Sequence, residues 1–144
     1  MKTTVRTVVF AALMGFVATA SSASFFDGKR PLLCSVYQLF ECDAPNACLA
    51  VTPEQIGGVS HLNIDFKNKT ITRAGVESKQ TSTIDSVETI DSKLILSGIE
   101  DGEAEVRDGA GWTISIMDPE GTMVMAVAGD GFAVVGLGAC VPKP

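Results

Sequence analysis

From Leu32 onward, short apolar segments alternate with turn-forming residues, which is the pattern of antiparallel strands joined by tight connections. The first predicted strand runs from Leu32 to Phe40, ahead of a loop holding Asp43, Pro45 and Asn46. Thr52, Pro53 and Glu54 predict one short helical turn that Gly57 and Gly58 stop. The clearest alternation sets Leu62, Ile64 and Phe66 against His61, Asn63, Asp65 and Lys67, as expected of a half-buried strand. Asn68 and Lys69 form a hairpin tip, and Ile71 opens a return strand toward Val76.

Thr83 to Ile90 and Lys93 to Ile99 form the next two predicted strands, parted at Asp91 and Ser92. The dipeptides Asp101-Gly102 and Asp108-Gly109 bracket a short strand around Val106. Trp112, Ile114 and Ile116 then share a face, and Asp118-Pro119-Glu120-Gly121 makes a turn. In the strand that follows, Met123, Met125 and Val127 lie on one face and Val124, Ala126 and Ala128 on the other, and neither face is strongly polar. Gly129-Asp130-Gly131 turns the chain into a last strand, Phe132 to Cys140, rich in small residues.

About eight or nine strands with short turns predict an all-β fold. The expected architecture is an antiparallel meander curled into a small closed or strongly curled β-barrel of about eight strands, with a two-sheet sandwich as the alternative. Trp112, Phe66, Phe132, Met123 and Met125 read as core, and lining an internal pocket is their functional alternative.

The first 23 residues break this pattern. Lys2 and Arg6 precede an apolar run from Val8 to Val17, followed by small residues up to Ala23, as in an export signal. The run is shorter than the roughly 20 residues needed to cross a bilayer core, so the mature form is expected not to span a membrane. Residues 24–144 form the expected single domain, periplasmic or extracellular.

Four cysteines, Cys34, Cys42, Cys48 and Cys140, lie in that domain, and export predicts two disulfides. Four cysteines allow three connectivities. In one of them, Cys42 and Cys48 close a short polar loop while Cys34 and Cys140 join the first and last strands. Zinc ligation is disfavoured by the lack of a CxxC pair.

The whole chain has a formal charge of -6. Twelve acidic residues from Glu77 to Asp130 face only Lys79, Lys93 and Arg107. No basic cluster is present, which argues against a nucleic-acid partner. Glu100, Asp101, Glu103, Glu105 and Asp108 do not follow the order of a calcium loop. His61, the sole histidine, has no nucleophile motif to serve, and its strand spacing keeps it from Asp65. The glycines complete no phosphate-binding motif, and Asn68-Lys69-Thr70, formally a glycosylation acceptor, is explained by a turn. The sequence therefore assigns no catalytic residue, cofactor or metal.

Cys34, Cys42 and Cys48, the segment HLNIDFKNKTI from His61 to Ile71 and the ending VAGDGFAVVGLGAC from Val127 to Cys140 resemble an uncharacterised family of small exported periplasmic proteins from Gram-negative bacteria. The resemblance implies an envelope setting and a compact β domain, and carries over no activity or binding residue. The leading expectation is a noncatalytic exported β-domain that binds a protein partner or supports envelope structure. A carrier of a small apolar ligand and an exported hydrolase using carboxylates such as Asp65 are the alternatives.

Overall fold

The computed structural model describes residues 24–43, 47–56, 60–74, 81–100, 102 and 109–144. Residues 1–23, where an export signal is expected, Pro45, Asn46, Gly57, Gly58, Val76 and the strand expected at Val106 lie outside the described residues. All regular structure described is β: β1 Leu32–Asp43, β2 Leu49–Val51, β3 His61–Asp65, β4 Thr70–Arg73, β5 Thr81–Thr83, β6 Ser86–Ile90, β7 Lys93–Glu100, β8 Ala110–Met117, β9 Thr122–Gly129 and β10 Phe132–Pro142. These strands make one antiparallel sheet in the order β5-β4-β3-β1-β10-β9-β8-β7-β6, with β2 added beside β1.

The sheet is a strongly curled half-barrel, and its connectivity explains the curl. Its two edge strands, β5 and β6, are consecutive in the chain and separated only by Ile84 and Asp85. So short a link holds both margins together. The Ile84 amide donates to the Lys69 carbonyl at 2.9 Å on one side, and the Asp85 amide to the Ser97 carbonyl at 2.9 Å on the other. The segment read as a single strand from Thr83 to Ile90 is thus bent, serving β4 before the bend and β7 after it.

Alternation along each strand sends one set of side chains inward. Leu32, Cys34, Ile64, Leu94, Leu96, Ile116 and Met123 are among the buried core residues. A register shift between Val36 and Gln38 leaves Tyr37 bulged outward, and this extra residue brings both Val36 and Leu39 to the interior. Segment 24–31 crosses one end of the sheet, where Phe26 is buried against Gly121.

Local chemistry sets the turns. Ile90 pairs with Lys93, and the two residues between them, Asp91 and Ser92, have φ of 47° and 60°, the positive pair that a two-residue hairpin turn demands. At Asp118-Pro119-Glu120-Gly121 the Gly121 amide closes the turn onto the Met117 carbonyl at 2.7 Å. The single turn expected from Thr52, Pro53 and Glu54 is present over residues 53–56 and is not part of a longer helix there. The Gln55 side chain accepts from the Thr52 amide at 2.7 Å and the Gln55 amide donates to the Thr52 carbonyl at 3.1 Å, making an isolated turn.

Both disulfides are present. Cys34 pairs with Cys140 and Cys42 with Cys48. The first links directly opposed residues of β1 and β10 inside the core, and the second ties the loop after β1. Two bridges are compatible with an oxidising, exported compartment. No helix among the described residues is long and apolar enough to cross a membrane.

Candidate functional site

The interior offers little unfilled space at the positions singled out for a pocket. Trp112 packs over Gly98, Met125 over Gly136 and Met123 over Gly138, so that each large side chain occupies the volume a neighbouring Cβ would take. Phe66 is half-buried against the core, and Phe132 lies over Gly129 at the turn between β9 and β10. The Trp112 indole N–H is buried and, among the described residues, has no hydrogen-bond partner.

His61 is exposed at the start of β3, and Asp65 lies at the strand's end. The Asp65 carboxylate accepts from the Asn68 amide at 3.1 Å and from its side-chain Nδ2 at 2.7 Å. Asp65 therefore shapes the turn. The backbone bond from Asn68, followed by its side-chain bond, holds the carboxyl below its ordinary pKa. A lowered folded-state pKa means that this support is present above the ordinary aspartate range and is lost as pH falls through the lowered midpoint. NMR titration of the Asp65 carboxyl is expected to give that lowered midpoint, and Asn68→Ala, which removes the side-chain bond and keeps the backbone one, to move it part of the way back up. An unchanged midpoint in the variant would deny the side-chain bond any part in the shift.

Beside Asp65 lies an open groove of about 370 Å³, lined by Pro31, Asn63, Ile64, Thr70, Thr72 and the chain end. Lys143 Nζ donates to the Asn63 side-chain oxygen at 3.0 Å across it. Among the described residues no three His, Cys, Asp or Glu side chains converge on a metal-sized site. Glu100 ends β7, while Asp101, Glu103, Glu105 and Asp108 lie outside the described residues.

The most distinctive surface is the outer side of four adjacent strands. Pairing fixes the neighbours: Phe40 lies opposite Val135, Leu137 opposite Val124, Ala133 opposite Ala128, and Ala128 opposite Gly111. The outward positions of β8, β9, β10 and β1 include no Asp, Glu, Lys, Arg or His. Val124 is 45% exposed and Val141 57% exposed on this face, and the bulged Tyr37 is 67% exposed beside it. Charge returns at the margin, where β3 pairs with β1 and carries His61 and Asp65, and β6, at the far end of the strand order, carries Glu88.

The sequence showed that β9 is apolar on both faces, but only the strand order joins it to similar outer faces. No protein-family model, curated protein or solved structure matches this chain.

Proposed function

We propose that the chain is an exported, noncatalytic β-domain of the periplasm that recognises a protein through the uncharged outer face of β8, β9, β10 and β1. The observation that carries this reading is the absence of any charged residue from the outward positions of four neighbouring strands in an acidic chain. A water-facing antiparallel sheet ordinarily alternates apolar-in with polar-out. Uncharged outward positions collected on one side, Phe40, Val124, Val135, Leu137 and Val141 among them, fit a surface that a partner covers. Depletion of charge is also the compositional mark of an interface centre.

The curled sheet supplies rigidity. Its backbone is fixed by the strand ladders and the Cys34–Cys140 bridge, so little conformational entropy would be lost on docking. Two disulfides and the amino-terminal apolar run support the periplasmic setting. The carrier alternative gains no support from an interior where Trp112, Met123 and Met125 fill the space over glycines.

The test is a photo-crosslinking residue placed at Val124 or, for comparison, at Glu88 on β6 and expressed in the exporting host. A discrete adduct from position 124 and none from position 88 is the expected result. Equal adducts from both positions, or none from position 124, would overturn the reading.

A further inference from the structure

We infer that the partner on this face is a second copy of the chain, docked about a two-fold axis; this inference rests on the binding reading above. Charge is the first argument. The chain carries a formal charge of -6, so two copies repel wherever their acidic surfaces meet. The outward positions of β8, β9, β10 and β1 are where no carboxylate opposes approach. A basic partner would find nothing there to pair with, and an anionic lipid surface calls for a basic patch that the chain lacks.

Shape is the second argument. A two-fold contact joins a surface to itself, so the surface must be self-complementary. Leu137 and Val124, directly opposed on β10 and β9, form a raised pair. Four residues along the same strands, Ala133 and Ala128 lie opposite each other and continue to Gly111 on β8, where an added Cβ would meet open space. The outward row between them, Phe40, Val135, Ala126 and Thr113, would lie at the axis, so that half a rotation seats each ridge on the other copy's small-residue stripe.

Area is the third argument. Four strands at ~4.8 Å spacing and roughly eight residues long present about 500 Å² of projected face. Each partner gives ~800 Å² to a standard interface, and because the face is convex contact centres on β9 and β10, so the expected dimer is a weak one of small area.

The test is sedimentation velocity on the disulfide-intact protein purified from its exporting host, from about 1 to about 100 µM. A monomer–dimer equilibrium is expected, and Val124→Glu with Leu137→Glu should weaken it at least about 100-fold by burying like charges. Thr72→Glu, on the outer face of β4, should leave it unchanged. Near-ultraviolet circular dichroism confirms folding of each variant. The crosslinker at Val124 supplies a measurement without added charge, and its adduct should have twice the chain mass. A wild-type monomer at every concentration overturns the dimer. With that result, a position-124 adduct of some other mass leaves the binding reading standing, whereas no adduct removes both. Flotation of the monomer with phosphatidylglycerol vesicles would instead make the face a lipid surface and overturn the dimer.

Discussion

Replacing Cys34 and Cys140 together with alanine is expected to cost about 4 to 5 kcal/mol of stability, chiefly through the unfolded chain. The cysteines are 106 residues apart, so their bridge closes a loop spanning most of the described domain. In the chain-entropy treatment a loop of that length is worth about 4.7 kcal/mol. Packing adds to it, because both residues are buried and Cys140 Sγ lies 3.6 Å from Met123 Sδ. The Cys42–Cys48 bridge spans only 6 residues, and its removal is expected to cost about 2 kcal/mol. Urea unfolding of the two double variants would compare them directly. Equal losses would sink the view that the long bridge dominates.

Gly98→Ala is expected to destabilise the fold by about 2 to 4 kcal/mol, because the new methyl group has nowhere to go. It would overlap the Thr83 carbonyl oxygen at the end of β5 and the six-membered ring of Trp112. The carbonyl belongs to backbone beside the bend that joins the sheet's margins, and Trp112 is only 8% exposed. Either the margins separate or the indole moves toward water. The chain has a single tryptophan, so movement should shift all of its emission to longer wavelength. Gly111→Ala is the matched comparison, since nothing lies within 4 Å of its added Cβ, and its effect should stay within about 0.5 kcal/mol. A Gly98→Ala protein with unchanged melting and emission would show that the curl does not depend on this contact.

The all-β fold and most hairpins were legible because alternation and turn chemistry are local. Leu62 with Ile64, and Trp112 with Ile114 and Ile116, carry their inward assignment in their spacing. The bend at Ile84–Asp85 was not legible, since alternation reports which side is buried but not which strand lies alongside. Ile84 is buried, Leu96 is buried opposite Val87, and the break in parity between Ile84 and Val87 marks the change of partner. The three-residue β2 was too short to show periodicity. At Thr52 a start signal for one turn was legible, and the side chain of Gln55 reaches back to the Thr52 amide there. The candidate face was half visible. Val124, Ala126 and Ala128 announced an apolar outer side, but its extent depends on β8, β10 and β1 being neighbours, which is a property of topology.

The β1–β10 pairing has one more consequence. Most neighbouring strands of the sheet are linked by a peptide connection, whereas β1 and β10 are the first and last strands and have no loop between them. The register places Leu32 opposite Pro142, so the outer ends of these two strands meet as if a hairpin had been cut there. Cys34–Cys140 supplies the missing covalent link two residues inside that gap. Sulfur thereby turns a linear polypeptide into a macrocycle, with strand order a closed sequence that has no privileged beginning. A circular permutant of residues 24–144, joined across the β1–β10 seam and opened at Asp130-Gly131, would keep every strand neighbour and merely exchange which seam lacks a loop.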